Sequence, residues 1–471
     1  MDASAVPVQA SPSIWATLRE AVRGSRQDLT EAPIGRAVVL LAVPMVLEMF
    51  MESVFAVADV FFVGRLGADA VATVGITESL MTVIYAVAIG LSIGATATVA
   101  RRIGERDPAR AARAAGQSIV LGLAGAAAIG TAGAVFAPDL LRVMGASDSV
   151  IRTGSGFARV MLGGSGTVLL LFLVNAIFRG AGDAAIAMRV LWFANAINIA
   201  LGPCLIFGLG PFPEMGVTGA AVATTIGRGS GVLFQIYLLT RGGSRIALRR
   251  SHLRTDRQVL AGILRLSGVG MFQNFIGTAS WMGLIRILTG FGSAAVAGNT
   301  IGIRIIIFAL LPSFGVSNAA ATLVGQNLGA GKPDRAEAAV WRAGFYNTVA
   351  LSVVGLVFLV FARPLIGIFS SDPEVVPYGV RCLRIVSAGF LFYGYGMVLT
   401  QSFNGAGDTR TPTLINLVCL WMLEIPLAWV LAYPLGLGPT GVFTSVSVAF
   451  SVLALVSAVI FKQGRWKTQK V

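Results

Sequence analysis

The chain has 471 residues, 55% of them hydrophobic and only 12% charged, with a mean hydropathy of +0.79 and a formal net charge of +14. A soluble protein of this length carries about twice that charged fraction, so the composition excludes a soluble globular domain and points to a membrane protein. The positive balance does not indicate a nucleic-acid partner, because the basic residues occupy short loops between apolar runs, the distribution of the positive-inside rule.

The first 33 residues are polar and mixed in charge. They lack the order of charged, apolar and small residues that marks a cleavable signal, which predicts a tail (1–33) in the cytoplasm. Within it, SIWATLREAV spaces Trp15, Leu18 and Val22 as one face of a helix lying on a membrane surface; a frayed tail is the alternative. Windows of about 20 apolar residues, enough to cross a bilayer, then follow twelve times, at 36–63, 72–98, 114–137, 151–177, 184–208, 217–240, 262–289, 295–322, 340–362, 377–403, 411–434 and 440–461. The cationic loops all fall on one side. They contain Arg19, Arg23 and Arg26, then Arg101 to Arg113, then Arg245 to Arg257, then Lys332 and Arg335, and finally Lys462 to Lys470. This predicts a multi-pass protein of the cell's inner (plasma) membrane with both termini cytoplasmic. The odd set of cysteines, Cys204, Cys382 and Cys419, suggests neither a disulfide framework nor a metal site, and the single histidine, His252, reads as a solvated loop residue.

One word occurs twice. Gly-Ala-Gly-Asp begins at Gly180 and again at Gly405, 225 residues later. At that offset Gly67, Ala70 and Val71 meet Gly292, Ala295 and Val296; Gly104, Pro108 and Arg110 meet Gly329, Pro333 and Arg335; and Gly216 meets Gly441. A constant offset over that length signals repeat architecture. Because it spans six helices, an even number, the two copies share one orientation, related by an axis along the membrane normal. The expected fold is all-α: twelve transmembrane helices in two pseudo-symmetric six-helix lobes, 34–240 and 259–461, joined by a basic cytoplasmic linker, 241–258, and closed by a basic tail, 462–471. Two lobes around a cleft are the geometry of alternating access, so transport is the leading function. The repeated word itself reads as a turn, its glycine closing a helix and Asp183 or Asp408 capping the next.

An ionisable side chain at mid-bilayer costs roughly 2.5–3.5 kcal/mol on insertion scales and is a functional candidate by default. The first span holds Glu48, Glu52 and Asp59. At about 100° per residue their directions agree within roughly 40°, one stripe of the helix. Such a stripe must face a protein cavity, with Pro44 bending the helix at its edge; pairing with basic residues is the alternative for Glu48 and Glu52. At the constant offset Glu48 falls on Gln273, beside Asn274, and Ser79, next to Glu78, falls on Arg304. Glu78 and Arg304 are candidates for an ion pair between the lobes, or for separately satisfied residues. Glu424, Arg228 and Arg286 are also intramembrane and take a structural or snorkelling reading.

The span-1 ending ADVFFVGRLGADAVATVG, the loop ARRIGERDP echoed by GQNLGAGKP, and the repeated GAGD together resemble the multidrug and toxic compound extrusion (MATE) family, over nearly the whole chain after residue 33. The resemblance implies an antiporter exporting organic, often aromatic and cationic compounds in exchange for H+ or Na+, with no cofactor beyond that ion, acting as a monomer among membrane lipids. It also implies an amino-terminal cation site around Asp59, with Asn198 and Thr224 matching two partners and Asn195 a neighbouring oxygen. Gly202 stands where the family has an aspartate. A sodium ion favours several oxygen ligands with compensating negative charge, so this departure weakens a sodium site at Asp59 and favours proton coupling. Gln273 and Asn274 stand where the carboxy-terminal site needs an acid, so that site is expected to be absent. Glu48 and Glu52, outside the family pattern, would supply the lost acidity or recognise a cationic substrate. A flippase for lipid-linked precursors, or an exporter of a specific metabolite, is the rival within the wider superfamily; the acidic first span argues against a pyrophosphate-binding cleft. An enzyme is not supported: there is no His-Glu-x-x-His zinc motif, and the GGSGT at Gly163 has no following lysine.

Overall fold

The computed structural model describes residues 13–471; residues 1–12, the start of the expected tail, lie outside the described residues. In hydrocarbon every backbone N–H and C=O must be satisfied internally, and the apolar runs accordingly form helices. After a short α1 (Ile14–Arg23), the chain builds α2 (Ile34–Gly64), α3 (Ala68–Gly104), α4 (Pro108–Val143), α5 (Asp148–Gly163), α6 (Ser165–Ala181), α7 (Ala184–Phe207) and α8 (Val217–Arg241). A second set follows: α9 (Arg257–Thr289), α10 (Ser293–Gly329), α11 (Pro333–Gly367), α12 (Val375–Ala388), α13 (Phe390–Ala406), α14 (Arg410–Asn416), a π-helical stretch Leu417–Glu424 leading into α15 (Ile425–Ala432), and α16 (Pro439–Lys462). α5 with α6, and α12 with α13, each make one span broken at a glycine, Gly164 and Gly389. Those glycines are also 225 residues apart. The second pair is bent by 60°. Counted so, the twelve expected spans are present; α8, with Arg228 and Gln235 inside it, is less apolar than the rest.

Several helices outrun the apolar windows: α3 covers 37 residues and α4 36, because their polar ends continue the helix beyond the hydrocarbon. In the tail, residues 14–23 form a helix rather than a frayed segment. α1 buries Thr17 and Ala21 and turns Ile14, Trp15 and Val22 outward.

The amino-terminal lobe packs around Leu171, Ile177 and Phe178, the carboxy-terminal lobe around Leu383, Phe390 and Phe443. A third core crosses between them, where Leu41 and Met45 of α2 meet Leu323 of α10 and Val340 of α11. The lobes are therefore pressed together at the end of the bundle that carries α1 and the carboxy-terminal residues. There the backbones of α3 and α10 approach so closely that a Cβ on Gly104 would overlap the Gln326 carbonyl, and one on Gly329 the Arg101 carbonyl. The repeated word lies in this seam. Gln326 Nε2 donates to the Gly180 carbonyl at 2.9 Å, and Arg101 Nη2 donates to the Ala406 carbonyl at 3.0 Å. Gln326 and Arg101 occupy equivalent positions of the repeat, so each lobe clasps the other's copy. The same Arg101 holds the Gln469 carbonyl at 3.0 Å, and Arg102 holds that of Val471 at 2.7 Å.

Gly182 and Gly407 close their helices at φ 89° and 84°, as the turn reading requires. Asp408 caps the next helix through the Thr411 backbone N–H at 3.2 Å. Asp183 does not. It accepts from the Arg245 N–H at 2.7 Å instead, pinning the basic linker.

Candidate functional site

Glu48 lies near the middle of α2 and is 1% exposed. Its Oε1 accepts from Asn175 Nδ2 at 2.9 Å and from Arg179 Nη1 at 2.6 Å, both on α6. Asn175 Oδ1 in turn accepts from Gln235 Nε2 of α8 at 2.7 Å. One turn along α2, Glu52 accepts from Arg228 Nη2 of α8 at 2.8 Å and from Asn195 Nδ2 of α7 at 3.2 Å. The Arg228 guanidinium also sits over the Phe55 and Phe172 rings, at 5.2 and 5.7 Å. A buried carboxylate persists only with a partner, and here each has an arginine. Each of the two acids is thus paired with an arginine, the alternative reading given for them. Arg228 is not a snorkelling residue but half of a buried ion pair.

Asp59 lies 11 residues beyond Glu48 on the same stripe, about 16 Å along the axis at 1.5 Å per residue. It is half-buried and, alone of the three, has no hydrogen bond or ion pair among the described residues. The charges that reach it are those of Glu78 on α3 and Arg228. Asn198 donates to Thr224 Oγ1 at 2.8 Å, so these two expected partners are joined to each other, while Asn195 serves Glu52. Gly202 adds no side chain; a Cβ there would stand 4.0 Å from Phe62.

Glu78 and Arg304 are both exposed, on α3 and α10. No ion pair within 4.0 Å joins them, although Arg304 supplies the charge that reaches Glu78. Of the two alternatives, the ion pair between the lobes is not formed in this structure. Arg286 is exposed near the end of α9, consistent with snorkelling, whereas Glu424 is 2% exposed and bonded to Ser280 Oγ at 2.7 Å.

Between the lobes lies a cavity of about 600 Å³, lined by Glu48, Glu52, Gln273 and Asn274 together with aromatic residues such as Tyr85 and Phe314. Asp59, Asn198, Thr224, Asn195, Glu78 and Arg304 are not among its lining residues. The residues that sequence reasoning missed are Asn175, Arg179 and Gln235. Their signal is present in the sequence, since Asn175 and Arg179 are one turn apart in the otherwise apolar run 168–181, and Gln235 lies two turns beyond Arg228 on α8.

The MatE family model matches residues 44–204 and again 270–430, two stretches covering more than half the chain and related by nearly the same offset as the repeated word. The chain is 28% identical over 439 residues to the probable multidrug resistance protein NorM of Thermotoga maritima, covering 93% of this chain and 94% of that one. It is 27% identical over 406 residues to an FAD transporter of Shewanella oneidensis, covering 86% and 89% respectively. The crystal structure of MATE in complex with MaL6 superposes with a TM-score of 0.86 at 26% identity, covering 93% of this chain and 97% of that chain. Family model, relatives and fold agree, and the chain belongs to the MATE family of membrane transporters.

Proposed function

We propose that this protein is a secondary active exporter of small organic compounds, driven by inward flow of protons and working by alternating access of its two lobes. The observation that carries this reading is the contrast along one helix stripe: Glu48 and Glu52 are bound to Arg179 and Arg228, while Asp59 has no partner among the described residues. An acid without a fixed counter-charge can take up and lose a proton as the lobes rearrange. A proton fits better than sodium, since Gly202 contributes no carboxylate and Asn198 and Thr224 are bonded to each other. The basic loops support an orientation with both termini in the cytoplasm; the cavity then faces outward, its cytoplasmic end shut by the α3–α10 seam.

The test is uptake of a fluorescent organic cation into inverted vesicles, with the pH gradient and the sodium gradient imposed separately. Accumulation on the pH gradient alone is the expected result; accumulation on the sodium gradient alone overturns the proton assignment. A second reading, export of a specific metabolite, is favoured by the same ion pairs, because the arginines leave the cavity no free carboxylate to attract a cation. The Shewanella relative named an FAD transporter makes a flavin the natural second substrate for the assay. Flavin transport without cation transport selects that reading.

A further inference from the structure

Glu424 is a buried acid inside the membrane-spanning bundle that the scheme above does not use. It closes the π-helical stretch of the carboxy-terminal lobe and is 2% exposed. π-helical turns inside α-helices recur at functional sites. Among the described residues no lysine or arginine pairs with it, and none contributes a charge there. The titratable groups that face it are Cys419 on its own turn and Tyr393 on α13, with Cys382 of α12 behind Tyr393. All three are buried and uncharged when protonated.

Its hydrogen-bond partner among the described residues is Ser280 of α9. Ser280 Oγ lies 2.8 Å from the Leu420 carbonyl and 2.7 Å from Glu424 Oε2. A serine hydroxyl has one proton to give. As placed, that one proton serves two acceptors, and a protonated carboxyl donating to Ser280 would free it for the Leu420 carbonyl. The geometry thus accommodates a neutral carboxylic acid. An ionised carboxylate here would lack any counter-charge in a low-dielectric wall.

The acid is also close to the transport path. Leu420 and Tyr393 line the cavity directly, and Tyr393 spends its hydroxyl on the Val446 carbonyl at 3.3 Å. We propose that Glu424 and Ser280 form a second proton-binding site, in the carboxy-terminal lobe, that loads a proton in this conformation and releases it when the lobes rearrange. The proton comes from cavity water, forms an O–H bond on Oε2 held by Ser280, and returns to water; no other bond changes. This rests on the exporter reading and assigns that reading a second coupling proton.

The experiment uses the full chain in proteoliposomes and has two arms. In the first, each coupled proton multiplies the steady-state substrate ratio by about ten for every unit of pH gradient. Glu424→Gln is expected to lower that ratio about tenfold per pH unit, and Glu424→Asp to restore it at least in part. In the second arm, infrared difference spectra follow the carbonyl stretch of a protonated carboxylic acid. The expected band is lost in Glu424→Gln, displaced in Ser280→Ala, and diminished in the wild type on substrate addition. A Glu424→Gln protein with the wild-type ratio, or a wild-type band indifferent to both pH and substrate, overturns the proposal. If the wild type accumulates nothing, the exporter reading fails, and the infrared arm alone decides the site.

Discussion

At the scale of residues, one helix face holds three carboxylates with two different fates. Glu48 and Glu52 are fixed by arginines from α6 and α8, whereas Asp59 is left to the solvent side of the stripe. Asp59→Asn is therefore expected to abolish gradient-driven efflux while leaving membrane insertion and thermal stability near wild type. Full activity of that variant, measured in vesicles at matched protein levels, would remove Asp59 from the coupling site. The opposite pattern is expected at the buried pair. Arg179→Leu strands the Glu48 charge, which by precedent for buried pairs costs about 3–5 kcal/mol. Combining it with Glu48→Leu should return most of that loss, since both desolvated charges go together. Melting curves in detergent for the two single variants and the double variant read the difference directly; equal melting of all four proteins would mean that the pair is not formed.

At the scale of elements, much was legible in advance and the reasons differ by element. The spans could be drawn because the bilayer sets their length, and the repeat because equivalent turns need the same glycines at Gly67 and Gly292, both at positive φ. The stripe on α2 followed from helical spacing alone. Which helix would face that stripe could not be read, since Arg179 and Arg228 reach it only through tertiary packing, and the pairing of Asn198 with Thr224 is decided by how α7 lies on α8. The same limit explains Asp183, whose side chain the linker captured before it could cap α7. The amphipathic α1 offers a test at this scale. Glu20 is bonded to Ser25 at 2.6 Å and to Arg36 at 2.6 Å. Those bonds, the Ser25 one first, hold its carboxyl below the ordinary carboxylate value against the opposing effect of partial burial. Because the folded value is the lower one, the stabilisation is complete above the ordinary carboxylate range and is lost only as the pH falls through it, below about 4. Trp15 fluorescence should report α1 detaching in acid and nowhere between pH 5 and 8 on the same scale; a transition near neutrality would contradict the Glu20 contact.

At the scale of the whole molecule, the cavity exists because the lobes close at one end and part at the other. The closed end depends on two glycines that let α3 and α10 touch backbone to backbone, Gly104 and Gly329. Gly104→Val places side-chain atoms where the Gln326 carbonyl now lies, so the seam should reopen. Transport is expected to fall by roughly tenfold or more, since even about 1.4 kcal/mol shifts a two-state balance by that factor. Spin labels on the terminal ends of α3 and α10 should move apart in that variant; an unchanged distance distribution would show that the seam tolerates the bulk.

The two clasps of that seam are equivalent in position but not in kind. Gln326 grips its glycine with a neutral amide, whereas Arg101 grips with a cation that also secures the Gln469 carbonyl, beside Arg102 on Val471. Parting the lobes at Arg101 therefore means loosening residues 465–471 as well, and the last turn of the chain is mechanically geared to the opening of the cavity.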